Sequence, residues 1–246
     1  MRTPHRRAQA GILFSLFIAS VALAQSSAPA TRAAGAEKWE EKIASFEADD
    51  RAAPPPREAV LFVGSSSIVG WKLGEFFAGL PAINRGFGGS EISDALHFID
   101  RIVLPYRPRA IVFYAGENDI AAGESPEQVA RDFETFVRRV RAALPQTRIV
   151  FIGLKPSPSR WKLIEQFRET NRLIRAFVES QRDMIFIDVE RAMLDAHGQP
   201  RAELFVKDML HMNRAGYEIW TELVRPHLDP APTTNPAPAP TADGPK

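Results

Sequence analysis

One serine and an aspartate–histidine pair have the types and spacing that nucleophilic catalysis needs. Ser66 lies in Gly64-Ser-Ser-Ser67, and Asp208 stands three residues before His211 in Asp208-Met-Leu-His211. A serine hydroxyl is a weak nucleophile until a base removes its proton, and a neutral histidine held by a carboxylate is the usual base. Because the Asp208 carboxylate can reach the imidazole within one turn, the three residues together predict acyl transfer through Ser66.

A second set of residues could stabilise the negative charge that develops on a substrate oxygen. The segment Asn84-Arg-Gly-Phe-Gly-Gly-Ser90 contains glycines at 86, 88 and 89, which let the backbone expose an amide closely. Asn118, in Gly116-Glu-Asn-Asp119, offers a side-chain NH2, and the Ser66 amide is a further candidate. Each pre-aimed donor can be worth on the order of 3 kcal/mol in the transition state.

These four segments, in this order, resemble the blocks of the SGNH or GDSL-like hydrolase superfamily. The resemblance runs from about Val60 to Trp220. It implies a three-layer α/β/α sandwich of flavodoxin-like topology that hydrolyses ester bonds without a metal or organic cofactor. By position it implies that Ser66 is the nucleophile, Asp208 the acid and His211 the base. It also implies that Ser66, Gly89 and Asn118 form the oxyanion hole.

The first block departs from the family's Gly-Asp-Ser-Leu pattern. Ser65 and Ser67 stand where the family has Asp and Leu. From the residues alone, these two neighbours remain alternative nucleophiles, and the other two glycines of the second block remain alternative oxyanion donors.

Several polar and aromatic residues lie beside the candidate site in the sequence. Arg85 and Glu117 are each one step from an oxyanion element, so they could form a salt bridge with each other or contact substrate. Trp161 follows the fourth predicted strand and could overhang the pocket. Asp119 is expected to brace its loop. No histidine belongs to a cluster with metal-ligand spacing, so no metal site is predicted.

Short apolar runs alternate with longer helical patterns after residue 58, which is typical of a parallel sheet with helices on both faces. Ligands bind beyond the carboxyl ends of such strands, where the four segments lie. The predicted strands are Ala59–Val63, Ala82–Asn84, Ala110–Tyr114, Arg148–Ile152 and Met184–Asp188, and the predicted helices are Glu37–Arg51, Glu91–Val103, Pro126–Ala143, Trp161–Gln181 and Arg214–Val224.

The composition indicates one globular domain, placed at residues 37–229. The chain has 246 residues, 45% hydrophobic and 25% charged, enough for a single α/β core. Its formal net charge of +1 gives no field that would gather nucleic acid or an anionic membrane. With no cysteine, disulfides and thiolate chemistry are excluded.

The two ends of the chain have compositions unlike that of the domain. Residues 1–24 combine early arginines, an apolar run and Ala22-Leu-Ala24, which predicts a cleaved signal peptide and export to the periplasm or medium, without stable membrane insertion afterwards. An uncleaved membrane anchor is the alternative. Residues 25–36 and 230–246 are predicted to be a disordered linker and a disordered Pro/Ala-rich tail.

The expected substrate is a small-molecule ester with a short acyl group, such as acetyl on a carbohydrate. No long lid or broad apolar stretch follows Ser66, which favours short acyl groups. A lysophospholipase or lipid esterase, an acyltransferase with the same triad, and a catalytically silent carbohydrate-binding relative are the alternatives. One fold hosts all of these activities, and the sequence indicates no oligomeric state.

Overall fold

The computed structural model describes residues 35–228. The predicted signal peptide, all but the last two residues of the predicted linker, and the predicted tail lie outside the described residues. None of the helices within the described range has the length and apolarity that a membrane span requires.

Five parallel strands form one sheet in the order β2-β1-β3-β4-β5, the flavodoxin-like order. They are β1 Val60–Gly64, β2 Ala82–Gly86, β3 Ala110–Tyr114, β4 Arg148–Ile152 and β5 Met184–Ile187. Gly64 at the end of β1 pairs with Gly86 of β2 and Tyr114 of β3. The register therefore brings the first three site segments to one edge, and the predicted parallel α/β fold is confirmed.

Helices cover both faces of this sheet and complete a three-layer α/β/α sandwich. The α-helices are α1 Glu40–Ala52, α2 Ser66–Val69, α3 Leu73–Phe76, α4 Ile92–His97, α5 Ile99–Ile102, α6 Glu117–Ala121, α7 Pro126–Ala143, α8 Ile164–Glu179, α9 Glu190–Met193 and α10 Arg214–Val224. Short 3-10 turns occupy Ala36–Trp39, Leu104–Tyr106, Pro158–Leu163, Ala202–Leu204 and Arg225–His227.

Two hydrophobic cores, one on each face of the sheet, follow from the alternation of side chains along a strand. Leu61 and Val63 of β1 point into the core covered by α1, α4, α5, α7 and α8. Val60 and Phe62 point into the opposite core, which α2, α3 and α10 close. Strands buried on both faces read as continuous apolar runs, which is why the sequence located them well.

Two helix starts carry side-chain capping groups. The Ser125 side chain accepts a hydrogen bond from the Gln128 backbone N–H at the start of α7, with Pro126 as the first helical residue. Asn213 accepts from the N–H groups of Ala215 and Gly216 at the start of α10. Such caps satisfy donors that a helix cannot satisfy itself.

Two predicted helices are interrupted in the structure. The pattern from Glu91 to Val103 forms α4 and α5, separated at Phe98 with φ −92° and ψ 9°. The pattern from Trp161 begins as the 3-10 turn Pro158–Leu163 and becomes α-helical only at Ile164. A third predicted helix, Glu37–Arg51, likewise begins as the 3-10 turn Ala36–Trp39 and becomes α-helical at Glu40. Helical periodicity does not reveal these breaks, because the apolar residues on both sides of each break pack against the same core.

Candidate active site

Ser66, His211 and Asp208 form a continuous hydrogen-bonded chain. The Ser66 Oγ lies 2.9 Å from His211 Nε2, and His211 Nδ1 lies 2.6 Å from Asp208 Oδ2. A carboxylate at Nδ1 holds that nitrogen protonated and leaves Nε2 free to accept the serine proton. The arrangement has the geometry needed to turn the Ser66 hydroxyl into a nucleophile.

The position of Ser66 depends on a glycine at the end of β1. Gly64 has φ +143°, and a β carbon there would lie 1.9 Å from the Tyr114 backbone oxygen. The space is needed because that same oxygen accepts the Ser65 backbone N–H at 3.0 Å. Glycine fits at this position because it has no β carbon. The chain can therefore turn sharply at the end of β1, and Ser66 becomes the first residue of α2.

The acid and base are held by a local turn. Asp208 Oδ1 accepts the backbone N–H groups of Leu210 and His211, both at 2.9 Å, and Met209, which directly follows Asp208, has φ +57°. Its bond to the His211 ring and these two N–H groups lower the pKa of Asp208 to about 2. Asp208 is therefore a carboxylate at neutral pH, the form that orients an imidazole base.

The triad is open to solvent. The side chains of His211 and Asp208 retain 41% and 48% of their accessible surface. A bulky alcohol group of an ester could therefore remain outside while its acyl carbon reaches Ser66.

Two backbone N–H groups beside Ser66 are available as oxyanion donors. Those of Ser66 and Gly89 donate to no acceptor among residues 35–228. Gly89 has φ +80°, and a β carbon on the adjacent Gly88 would lie 3.8 Å from the Ser66 β carbon. By contrast, the N–H of Gly86 already donates to the Asn84 side chain at 2.9 Å. The geometry therefore favours Gly89 over Gly86 as the donor from this loop.

Asn118 reaches the same loop from the end of β3. Its Nδ2 donates to the Ser90 backbone oxygen at 2.9 Å, which uses one of the two amide protons. The second proton remains available for a substrate oxygen. Its Oδ1 accepts from the guanidinium of Arg160 at 2.8 Å, a contact that sequence reasoning missed.

The predicted salt bridge between Arg85 and Glu117 is wrong. Arg85 pairs with Asp50 of α1, donates to the Tyr106 hydroxyl at 2.7 Å, and lies 4.8 Å from the ring centroids of Phe46 and Tyr106. These contacts attach α1 to the sheet. The sequence pattern of α1 indicates that this helix packs on the domain. It does not specify which arginine or lysine pairs with the carboxylates of the helix.

Glu117 instead pairs with Lys155, which follows β4. The Nζ–Oε2 distance is 2.6 Å, and the two side chains are 5% and 1% exposed. Burial lowers the pKa of Lys155, and the Glu117 carboxylate opposes that effect. Arg85 and Glu117 are thus each paired with an opposite charge, on Asp50 and Lys155 respectively. Contact of either residue with substrate stays a prediction, since the charge of each is already paired.

Trp161 packs against the core, and Trp39 is the tryptophan that lies beside Gly89. Trp161 is half-buried against the core, with the Arg168 guanidinium 5.8 Å from its ring centroid. Trp39, which belongs to the predicted helix Glu37–Arg51, lies 3.5 Å from where a Gly89 β carbon would be. It also meets the Phe87 ring edge-on at 5.6 Å between centroids. Trp39 thus forms a wall beside residues 86–89, the oxyanion loop.

Asp119 has a structural role, as expected, but the segment that it braces is the start of α4 and not only its own loop. Its Oδ1 accepts the Ile92 backbone N–H at 2.9 Å, at the start of α4. Its Oδ2 is buried without a hydrogen-bond partner. Burial raises the pKa of Asp119 to about 7, and the bond from Ile92 only partly offsets this.

We expect the raised pKa of Asp119 to make stability fall as the pH rises from about 4 to about 7. The unfolded chain releases this proton near pH 3.9, whereas the folded protein keeps it to about pH 7. Over that window the native state binds more protons, so unfolding becomes easier as pH increases. The Asp119→Asn variant should remove up to about 1.4 kcal/mol per pH unit of this slope.

Urea unfolding across that pH window measures the Asp119 effect. The exposed carboxylate of Asp49 on α1 provides a control for simple charge removal, as Asp49→Asn. An Asp119→Asn variant with the slope of the wild type would contradict the expected protonation.

The described residues contain no group of three or more His, Asp and Glu side chains arranged to hold a metal ion. A reaction without metal therefore remains a prediction, which a chelator can test.

The fold and the four grouped segments define an α/β/α hydrolase class. Residues 62–219 match the GDSL-like Lipase/Acylhydrolase family, and the chain belongs to that family. The sequence resemblance to GDSL-like hydrolases is thus confirmed, and membership supports hydrolysis of acyl esters.

Similar proteins align with this chain over most of its length. The human platelet-activating factor acetylhydrolase IB subunit alpha1 is 28% identical over 203 residues, covering 79% of this chain and 84% of the relative. A GDSL-like lipase of Bacteroides thetaiotaomicron has TM-score 0.64 and 19% identity, covering 76% and 96% of the two chains. An acetyl-xylooligosaccharide esterase of Geobacillus has TM-score 0.58 and 14% identity, covering 72% and 96%. These structures show the shared fold.

Proposed function

We propose that this protein hydrolyses carboxylic esters through an acyl-enzyme on Ser66. The observation that carries the proposal is the chain of contacts from Ser66 Oγ to His211 Nε2 at 2.9 Å and from His211 Nδ1 to Asp208 at 2.6 Å. A nucleophile, a base and a group that orients the base are the parts that covalent acyl transfer requires.

The proposed reaction has two steps. His211 Nε2 takes the Ser66 proton while Oγ attacks the ester carbonyl carbon, and the new oxyanion meets the N–H groups of Ser66 and Gly89 and the free Asn118 proton. Collapse breaks the ester bond, and His211 gives its proton to the leaving alcohol. Water, deprotonated by His211, then attacks the acyl carbon, which releases the acid and restores Ser66.

Short acyl groups, acetyl above all, are the substrate class that we favour. The Trp39 ring limits the space beside Gly89, the proposed oxyanion donor, which favours a small acyl group there. Two of the similar proteins carry acetyl in their names, the human acetylhydrolase subunit and the acetyl-xylooligosaccharide esterase. The open triad leaves room for a carbohydrate as the alcohol part.

A lipid ester is the second candidate, and exposed apolar side chains favour it. Val69, Val206 and Met209 are 48%, 42% and 40% exposed. Val69 lies in α2 with Ser66, and the other two flank Asp208 in its turn. An apolar rim around a triad could hold a hydrophobic leaving group.

A panel of esters separates the two candidates. With chelator present, we expect kcat/KM for p-nitrophenyl esters to be highest at acetyl and to fall about tenfold or more by octanoyl, since the Trp39 ring would obstruct a longer acyl chain. Acetylated xylo-oligosaccharide and a lysophospholipid serve as natural-type substrates. A maximum at long chains, or a preference for the lysophospholipid that Met209→Ser removes, would replace the acetyl esterase with the lipid esterase.

A further inference from the structure

Arg160 contacts the candidate oxyanion hole from a segment outside the four sequence blocks. It lies in the 3-10 turn Pro158–Leu163 and is half-buried. Its Nη2 donates to Asn118 Oδ1 at 2.8 Å. The Asn118 amide is therefore held at its oxygen by Arg160 and at its nitrogen by the Ser90 carbonyl, 2.9 Å away.

These two contacts fix which end of the amide faces the substrate. Turning the Asn118 amide by 180° would place its NH2 against the guanidinium and its oxygen against the Ser90 carbonyl. Both new contacts would be repulsive, because guanidinium only donates and a carbonyl only accepts. Arg160 thus selects the orientation that leaves an N–H for the oxyanion.

The Arg160 charge has no counter-ion in the described part of the chain. No carboxylate of residues 35–228 lies within 4.0 Å of its guanidinium, whereas nearby Lys155 is paired with Glu117 at 2.6 Å. A cation bonded to an amide oxygen draws electron density from the amide and makes its N–H a stronger donor. This positive charge lies one amide group away from the place where negative charge would develop.

The backbone holds Arg160 against both halves of the site. Arg160 departs from helical geometry at φ −113° and ψ 17°, so the turn bends at this residue. The preceding Ser159 donates its N–H to the Met209 backbone oxygen at 3.0 Å, which ties the turn to the Asp208–His211 turn.

We propose that Arg160 is a positioning residue that orients Asn118 and strengthens it as an oxyanion donor. The inference rests on the proposed esterase function. It deepens that function by giving Arg160, which lies outside the four sequence blocks, a role in orienting an oxyanion donor. A residue that acts only on the transition state changes kcat and leaves KM nearly unchanged.

A double-mutant cycle with p-nitrophenyl acetate tests the assignment. We expect Arg160→Met to lower kcat about tenfold with little change in KM, and Arg160→Lys to recover part of the loss. Asn118→Ala should lower kcat about 100-fold, as loss of one oxyanion donor does. If Arg160 acts through Asn118, adding Arg160→Met to Asn118→Ala should cause almost no further loss.

Three results would overturn the assignment: wild-type kcat in Arg160→Met, losses that multiply in the double variant, or a raised KM at unchanged kcat. Losses that multiply would mean that Arg160 acts independently of Asn118, and a raised KM at unchanged kcat would make it a direct contact of the substrate. Lys162→Met, an exposed change in the same turn, is the matched control. If Arg160→Met does not fold, Arg160→Gln takes its place in the cycle. Undiminished turnover by Ser66→Ala would instead overturn the proposed function itself.

Discussion

The Ser66→Ala variant is expected to hydrolyse p-nitrophenyl acetate about 10⁴-fold or more slowly than the wild type, since no acyl-enzyme can form without the hydroxyl. The His211 Nε2 that lies 2.9 Å from Oγ would lose its only proton donor in the triad. Purified wild type and variant, compared at equal concentration with chelator present, give the measurement. The variant should remain folded, because a half-buried serine becomes a smaller residue without leaving a buried charge.

The neighbouring serines supply matched controls for this result. Ser65 and Ser67 are 3% and 2% exposed, and no side-chain contact joins either of them to His211. We expect Ser65→Ala and Ser67→Ala to keep activity within about tenfold of the wild type. A collapse of activity in one of these variants, with activity retained in Ser66→Ala, would move the nucleophile by one position. The labelling site of a fluorophosphonate, read by mass spectrometry, checks the same point.

The second large effect is expected in stability. Lys155→Met should lower the free energy of unfolding by about 3–5 kcal/mol, because it leaves the Glu117 carboxylate buried without its cation. The ion pair is short, at 2.6 Å, and both side chains are nearly inaccessible. Glu117 Oε1 already lacks a hydrogen-bond partner, so the nearby Tyr114 hydroxyl is the donor left to the carboxylate, and it carries no charge to replace the lysine. Urea unfolding at neutral pH measures the change.

Two further variants make the stability result interpretable. Removing both charges, as Lys155→Met with Glu117→Met, should recover much of the loss, since a buried pair replaced by apolar groups is often nearly neutral. Lys162→Met, on the exposed side of the following turn, should change stability by less than about 0.5 kcal/mol. A loss below about 1 kcal/mol in Lys155→Met would mean that water or a rearrangement satisfies Glu117.

The buried pair also bears on the active site. Glu117 begins α6 immediately before Asn118, and Lys155 follows β4 in the segment that leads to Arg160. The pair therefore ties together the two strand ends that carry the Asn118–Arg160 contact. We expect variants of this pair to alter kcat as well as stability, whereas variants of the Arg85–Asp50 pair, which anchors α1, should alter stability without acting through Asn118.

The sequence by itself determined the sheet, the order of its layers and the local chemistry of the site. Strands buried on both faces must be continuous apolar runs, and capping residues must stand beside the helices they start. The Asp208–His211 pair is equally local, because its members are three residues apart on one turn. Such features depend on near neighbours in the chain, so residue types and spacing are enough to find them.

Only the tertiary structure decided the pairings between distant elements. Ser66 meets His211 across 145 residues, which the matched order of family blocks could suggest but spacing could not. Nothing in the sequence distinguished Asp50 from Glu117 as the partner of Arg85. Likewise, neither Arg160 at Asn118 nor Trp39 at Gly89 had a sequence signal. The physical reason is that any guanidinium can bind any nearby oxygen acceptor, so the packing of strands and helices selects the partner.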